Sequence, residues 1–143
     1  MFLLRIAGIT PTSLFDGYGV NYVIYTQGCK HKCEGCHNPS THSLKGGQEV
    51  ALDYLKEQIK ALNILTGVTF SGGDPVLQLD KVQELAKWCK ENNLQTTLYT
   101  GFLKDELPST DYFDYIIDGK FEIDKKSRDC PFRGSTNQRI YKL

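Results

Sequence analysis

The sequence alternates between two hydrophobic periods, and this alternation constrains the fold more than any other feature. Runs rich in β-branched and aromatic residues predict strands at Asn21–Thr26, 64–70, 94–99 and 112–117. Between these runs, apolar residues at helical spacing predict one helix over 48–63 and another from Asp80 to about residue 92. Strands that alternate with helices are typical of a parallel sheet built from right-handed crossovers. The sequence therefore predicts an α/β fold with a mostly parallel sheet of about four to six strands.

The boundaries of the remaining elements follow from local signals. Asp80, with Gln83 three residues later, predicts a capped start for the second helix. Cys89 falls on the apolar face of that helix, so we expect it to be a buried core cysteine. Segment 103–107 predicts a short helix that ends at Pro108, and segments 2–9 and 140–143 predict edge strands.

The loops that follow the four central strands carry most of the polar and glycine-rich motifs. The first strand leads into a loop with three cysteines, and the second leads into Ser71, Gly72, Gly73, Asp74 and Pro75. The later strands end at the runs 99–101 and 118–120. Ligands bind at the carboxyl ends of parallel strands, where these loops would meet. The sequence therefore predicts one functional site at that edge of the sheet.

The cysteine loop has the composition of a metal site with one ligand missing. Cys29, Cys33 and Cys36 are separated by spacers of three and two residues. Thiolates suit iron–sulfur clusters or zinc, and such centres are usually closed by four protein ligands. One alternative is a structural zinc site completed by His31 or His37, although no second ligand pair lies at a typical distance downstream. The more informative alternative is a centre that keeps a coordination position open for chemistry.

The glycine-rich run after the second strand also has two interpretations. Two glycines followed by Asp-Pro form an ordinary turn in many proteins. Next to an open metal centre, Gly72 and Gly73 would let a ligand approach the backbone closely, and Asp74 would add an acceptor for an ammonium group.

Composition narrows the class of protein. The 143 residues predict one domain, 1–143, with a formal net charge of zero from 17 basic and 17 acidic side chains. No basic stripe indicates nucleic acid as a partner, and no apolar run is long enough to indicate a membrane span. No signal peptide is visible, so we expect a cytoplasmic protein with reduced cysteines. Five cysteines, an odd number, also disfavour a disulfide framework. Cys130 is expected in a loop, as a free thiol or a further ligand.

These motifs together resemble a known family. The spacing of Cys29, Cys33 and Cys36, with the glycine-rich run 71–75, is similar to that of radical S-adenosylmethionine enzymes. Within that superfamily, the runs 99–102, 118–121 and 133–138 resemble the small activases of anaerobic ribonucleoside-triphosphate reductase. Many enzymes of the superfamily have an aromatic residue before the third cysteine, where this chain has Gly35. The activases tend to glycine there, and often have an aromatic residue where this chain has His37.

The resemblance implies a set of site residues. Cys29, Cys33 and Cys36 would hold three irons of a 4Fe–4S cluster, and S-adenosylmethionine would chelate the fourth iron. The implied S-adenosylmethionine site consists of Gly35, Cys36, His37, Gly72, Gly73 and Asp74, with Tyr99, Asp118 and Lys120 as weaker candidates. No catalytic side chain is implied beyond the cluster and its cosubstrate.

The resemblance also implies a reaction, a partner and a shape. Reductive cleavage of S-adenosylmethionine would give methionine and a 5′-deoxyadenosyl radical, which would take hydrogen from a glycine of the large reductase subunit. A low-potential donor such as flavodoxin would supply the electron. Because a complete barrel needs about 250 residues, the chain would form a partial (β/α) barrel that the partner encloses. Alternatives are a small radical S-adenosylmethionine enzyme that acts on a metabolite, such as a deazaguanine-forming synthase, and a non-catalytic iron–sulfur or zinc module.

Overall fold

The computed structural model describes residues 3–14, 17–28, 47–119 and 138–143. Within these residues the chain forms a seven-stranded sheet, two α-helices and two short 3₁₀ helices. The strands are β1 (Leu3–Ser13), β2 (Asn21–Thr26), β3 (Gln48–Ala51), β4 (Gly67–Gly72), β5 (Gln95–Tyr99), β6 (Tyr115–Asp118) and β7 (Arg139–Lys142). The α-helices are α1 (Leu52–Ala61) and α2 (Leu79–Glu91), and the 3₁₀ helices span Pro75–Gln78 and Lys104–Glu106. Neither α-helix in this described part is long and apolar enough to cross a bilayer.

The centre of the sheet is parallel and its margins are antiparallel. The strand order is β3-β1-β2-β4-β5-β6-β7. Strands β2, β4, β5 and β6 pair in parallel, whereas β1 pairs antiparallel with β2 and β3, and β7 pairs antiparallel with β6. The α/β class is therefore confirmed. The prediction of a mostly parallel sheet of four to six strands was wrong, because β3 was missed and β1 was placed at an edge. The edge strand predicted at 140–143 is confirmed by β7.

The largest error concerns β1 and β3. Residues 48–51 were predicted as the first turns of a helix, but they form a strand whose partners run from Leu3↔Ala51 to Ile6↔Gln48. Helix α1 therefore begins only at Leu52. Strand β1 lies between β3 and β2 and is not an edge. Periodicity within residues 48–51 could not reveal a pairing with residues more than 40 positions away.

Smaller differences concern element ends. Asp80 does not cap α2, whose preceding residue is Gln78 and has no side-chain cap. The capping aspartate is Asp74, whose carboxylate accepts from the N–H of Val76 at the start of the first 3₁₀ helix. Strand β6 begins after Tyr112, because the φ of +72° at that residue belongs to a turn. The prediction of a short helix near 103–107 is confirmed in outline by the 3₁₀ helix Lys104–Glu106.

The hydrophobic core lies between one face of the sheet and the two α-helices. Ile24, Phe70 and Leu98 from the parallel strands are fully buried there, together with Leu55 of α1 and Leu85 of α2. Paired residues of neighbouring strands project to the same face, so these contacts follow directly from the sheet register.

Cys89 belongs to this core and has no exposed surface. Burial raises the pKa of its thiol to about 12, against opposing contributions from Lys56 and Lys90. The prediction of a buried core cysteine is therefore confirmed.

Candidate active site at the carboxyl end of the parallel strands

The end of β2 and the turn after β4 are joined by backbone hydrogen bonds. The N–H of Gly73 donates to the carbonyl oxygen of Thr26 at 2.8 Å, and the N–H of Asp74 donates to that of Gly28 at 2.7 Å. The hydroxyl of Thr26 donates to the carbonyl oxygen of Ser71 at 3.0 Å. Gly28 immediately precedes Cys29 in the sequence. The glycine-rich turn is therefore attached to the residues that lead into the cysteine loop.

Gly72 makes this close approach possible. Its φ is +100°, and a Cβ built on it would lie 2.4 Å from the nitrogen and 2.5 Å from the oxygen of Thr26. Both contacts involve backbone atoms of the paired strand, which cannot turn aside as a flexible side chain can. Only glycine fits here without displacing the turn from β2.

Asp74 joins the same turn to the loop after β5. Its carboxylate is fully buried and accepts hydrogen bonds from the Thr100 hydroxyl at 2.9 Å, the Gly101 N–H at 2.9 Å and the Val76 N–H at 3.1 Å. Through these contacts the Asp74 side chain connects the turn after β4 and the first 3₁₀ helix to the loop after β5. Its predicted role as an acceptor for an ammonium group stays a prediction.

The end of β6 is connected to the same loop. The N–H of Thr100 donates to the carbonyl oxygen of Ile117, and the N–H of Gly119 donates to that of Phe102, both at 3.0 Å. Oδ2 of Asp118 accepts from the N–H of Lys104 at 2.7 Å. The ends of β2, β4, β5 and β6 thus form one connected edge, as the rule for parallel sheets predicted.

Within the described residues, four buried side-chain oxygens have no hydrogen-bond partner. Those of Asn21 and Gln95 lie at the opposite end of the strands, and the other two lie on β5 and β6. Oδ1 of Asp118 is one of them, although only 1% of that residue is exposed. Oγ1 of Thr97 is the other, and Thr97 pairs with Thr69 and Tyr115, outside the set of residues that packs on the helices. Buried polar atoms without a partner cost about 1–3 kcal/mol each, so each one needs an explanation. A ligand with hydroxyl, amino or ammonium donors would satisfy them, and S-adenosylmethionine carries all three kinds of group.

The structure tests the location of only some predicted site residues. Gly72, Gly73, Asp74, Tyr99 and Asp118 lie together at this edge. The predicted residues Cys29, Cys33, Gly35, Cys36, His37 and Lys120 lie outside the described residues, as do Cys130 and most of the run 133–138. In the described part of the chain, no group of three or more His, Cys, Asp or Glu side chains could hold a metal ion.

Sequence reasoning missed several residues that build this edge. Thr100 and Thr26 bond to the glycine-rich turn, and Gln78 bonds to the backbone of Arg5 in β1 and of Gln27, the residue after β2. The position of Thr100 directly after a predicted strand was a usable signal. Nothing in the local pattern around Gln78 distinguishes it from an ordinary helix-start residue.

Comparison with known proteins decides the family. A family model described as a 4Fe-4S single cluster domain matches residues 15–141. An anaerobic ribonucleoside-triphosphate reductase-activating protein of Enterobacteria phage T4 is 33% identical, over 93% of this chain and 90% of its own length. One of the same name from Haemophilus influenzae is 32% identical, over 93% and 94% respectively. The chain belongs to the family of anaerobic ribonucleoside-triphosphate reductase-activating proteins.

More distant relatives agree with that membership. A pyruvate formate-lyase-activating enzyme of Clostridium pasteurianum is 35% identical over 106 residues, which cover 71% of this chain and 44% of that enzyme. Among solved structures, QueE from Escherichia coli superposes with a TM-score of 0.54 at 15% identity, over 69% of this chain and 53% of QueE. At that identity the likeness shows a shared α/β fold and nothing about substrate.

Membership confirms the family identified from the sequence motifs. The protein is a radical S-adenosylmethionine enzyme of the glycyl-radical-activating kind, with an iron–sulfur cluster. The polar, glycine-bearing edge described above agrees with this chemistry, because such cofactors need positioning more than they need catalytic side chains.

Proposed function

We propose that this protein activates an anaerobic ribonucleoside-triphosphate reductase by generating a glycyl radical on its large subunit. The observation that carries the proposal is the pair of hydrogen bonds from Gly73 and Asp74 to Thr26 and Gly28. They attach a glycine-rich turn to the residue before Cys29, so a metal centre in the cysteine loop would lie beside the turn. The likeness to activating proteins over 93% of the chain supports the same conclusion.

Cys29, Cys33 and Cys36 are the proposed ligands of a 4Fe–4S cluster. Three thiolates match the softness that iron–sulfur clusters require, and three is one fewer than a closed cluster site uses. S-adenosylmethionine would occupy the remaining position. Gly35, Cys36, His37, Gly72, Gly73 and Asp74 are the proposed lining of its site, with Tyr99, Asp118 and Lys120 as further candidates.

The chemistry that the cluster and S-adenosylmethionine supply when bound is a one-electron reductive cleavage, which yields methionine and a radical that removes a hydrogen atom from glycine. The protein's own residues bind and orient. Gly72 keeps the turn close to β2, and Asp74 keeps the loop after β5 against that turn. The unpartnered oxygens of Asp118 and Thr97 would accept hydrogen bonds from donors of the cosubstrate.

A partial (β/α) barrel that the reductase completes is part of the proposal. Both α-helices pack on one face of the sheet, while Thr69 and Thr97 lie on the face away from that core. The face that carries Thr69 and Thr97 would be the inner face of such a barrel, and one side would stay open for a glycine loop of the partner. We expect the reaction in the cytoplasm, with an electron donor such as flavodoxin.

Anaerobic reconstitution with iron and sulfide tests the proposal directly. We expect an iron–sulfur absorption band, an EPR signal after reduction, and a change in that signal on addition of S-adenosylmethionine. With a cognate large subunit, a glycyl-radical EPR signal should then appear. The control is a large-subunit variant whose radical-bearing glycine is replaced by alanine, which should give no such signal.

Each contrary result points to a different function. Methionine formation without a glycyl radical, with the cognate reductase present, would favour an enzyme that acts on a small molecule. Zinc without iron, or a cluster signal that ignores S-adenosylmethionine, would favour a non-catalytic metal module.

A further inference from the structure

The side chain of Gln78 is inserted into the sheet at the point where β1 and β2 separate. Its Oε1 accepts from the N–H of Arg5 at 2.8 Å, and its Nε2 donates to the carbonyl oxygen of Arg5 at 2.9 Å. Nε2 also lies 3.4 Å from the carbonyl oxygen of Gln27. The amide of Gln78 therefore bonds to the N–H and the carbonyl oxygen of Arg5 and to the carbonyl oxygen of Gln27, the residue directly after β2.

This arrangement replaces half of a regular antiparallel pair. The N–H of Gln27 still donates to the carbonyl oxygen of Arg5 at 3.0 Å. In a regular hydrogen-bonded pair, the N–H of Arg5 would return a bond to the carbonyl oxygen of Gln27. The amide of Gln78 stands between those two groups instead, and it bonds to each of them. The ladder between β1 and β2 consequently ends at Gln27, two residues before Cys29.

Three successive carbonyl oxygens before the cysteine loop are held by one short segment. Those of Thr26 and Gly28 accept from the backbone N–H groups of Gly73 and Asp74. That of Gln27 accepts from the side chain of Gln78. Of these three donors, only Nε2 of Gln78 belongs to a side chain. A substitution of Gln78 therefore removes a donor without altering a backbone group.

We infer that Gln78 is a positioning residue that sets the direction in which the chain leaves β2 for the cysteine loop. Without its amide, Gln27 can form the regular pair with Arg5, the ladder extends, and Gly28 turns relative to the glycine-rich turn. The three thiolates and the S-adenosylmethionine site would then lose their mutual alignment. This inference rests on the proposed function, since it concerns the same cluster.

The test compares Gln78→Met with Gln83→Met. Gln83 lies on α2, directly after the 3₁₀ helix that ends at Gln78. Its Nε2 donates to the Ser109 hydroxyl at 3.0 Å and to the carbonyl oxygen of Asp111 at 3.3 Å, far along the chain from the cysteines. Each substitution removes a partly buried side-chain amide that connects two segments of the chain. Gln78 also borders a cavity of about 250 Å³, which gives a methionine side chain room.

Three measurements separate positioning from general stability. Thermal unfolding should shift by similar amounts in the two variants. The dissociation constant for S-adenosylmethionine is read from the EPR signal of the reduced cluster. It should rise about ten-fold or more in Gln78→Met and less than about two-fold in Gln83→Met. A ten-fold rise corresponds to a loss of about 1.4 kcal/mol of binding free energy. Hydrogen exchange of the Asp74 amide, which bonds to the carbonyl oxygen of Gly28, should become faster in the iron-free chain only in Gln78→Met.

The outcomes are distinct. Equal cosubstrate affinity in the two variants would overturn the inference. If wild-type protein shows no response to S-adenosylmethionine, the proposed function fails, while the exchange of the Asp74 amide still tests the geometric claim, and an unchanged rate in Gln78→Met would overturn it. If Gln78→Met does not fold, Gln78→Ala replaces it, because alanine removes the whole amide and introduces no new group into the sheet. Wild-type affinity in that variant would also overturn the inference.

Discussion

Replacing Gly72 by alanine should separate the glycine-rich turn from β2. The new Cβ would meet backbone atoms of Thr26 at 2.4 and 2.5 Å and the carbonyl carbon of Tyr25 at 2.7 Å. Ordinary contact begins at 3.4 Å, so the turn would have to move by about 1 Å. The φ of +100° is strained for any residue with a Cβ and costs about 1–3 kcal/mol.

The movement has a second cost. The hydrogen bonds from Gly73 to Thr26 and from Asp74 to Gly28, at 2.8 and 2.7 Å, would lengthen beyond a useful distance. Each contributes about 1 kcal/mol to stability. Together with the backbone strain, we expect Gly72→Ala to lower the free energy of unfolding by about 3–5 kcal/mol.

Urea denaturation of the iron-free chain measures this change. The single tryptophan, Trp88, lies on α2 and reports unfolding by its fluorescence. Gly8→Ala is the matched control, because nothing lies within 4 Å of its Cβ position and its φ lies outside the left-handed region. That variant should be as stable as the wild type or up to about 1 kcal/mol more stable. A Gly72→Ala protein within about 0.5 kcal/mol of the wild type would refute the reasoning, because substitutions that disturb nothing fall in that range.

Four further predictions use other parts of the molecule. Cys33→Ala should abolish S-adenosylmethionine-dependent EPR changes and lower the iron per chain, while the control Cys89→Ala should leave both unchanged. Asp74→Ala should destabilise the chain by about 2–4 kcal/mol in urea, since it leaves three donors unsatisfied; a loss below 0.5 kcal/mol, about the scale of a surface change, would contradict that. Thr97→Val should stabilise the iron-free chain by about 1 kcal/mol and weaken S-adenosylmethionine binding by calorimetry, because it removes an unpartnered oxygen. Burial raises the pKa values of Cys89 and Tyr22 to about 12; their contribution to stability is complete below about pH 9 and is lost as the pH rises toward 12, by about 1.4 kcal/mol per pH unit per proton. Cys89→Ala should flatten the first part of that decline, and a curve of unchanged shape would contradict the assignment.

Local chemistry explains which parts of the fold could be predicted from the sequence. The strands at Asn21–Thr26 and Gln95–Tyr99 are dense in β-branched and aromatic residues, and both were found within one residue of their observed bounds. The meeting of the loops at one edge followed from the general geometry of parallel strands, which needs no knowledge of side-chain contacts.

The errors arose where a distant partner decides the local structure. Residues 48–51 satisfy a helical pattern, but their backbone groups bond to β1. Asp80 was predicted to cap α2 but lies within it, whereas Asp74 caps the first 3₁₀ helix through the N–H of Val76 and is held there by Thr100 and Gly101. The amide of Gln78 is a contact over 73 residues of sequence and leaves no periodic signal.

Thr97 shows why part of the site could not be inferred and why it is nevertheless informative. Valine has the same shape as threonine, a higher preference for strands, and no oxygen to bury. A chain selected for stability alone would therefore have valine at this central position of β5, where the threonine hydroxyl has no partner. Oδ1 of Asp118, at the end of the neighbouring strand, is also unpartnered, while Oδ2 of the same carboxylate accepts from the N–H of Lys104. Each unpartnered oxygen is costly in the free chain, and a bound donor would offset that cost. Natural sequences break the rules of stable packing mainly at functional sites, and the effect of Thr97→Val on S-adenosylmethionine binding tests whether this hydroxyl is such a case.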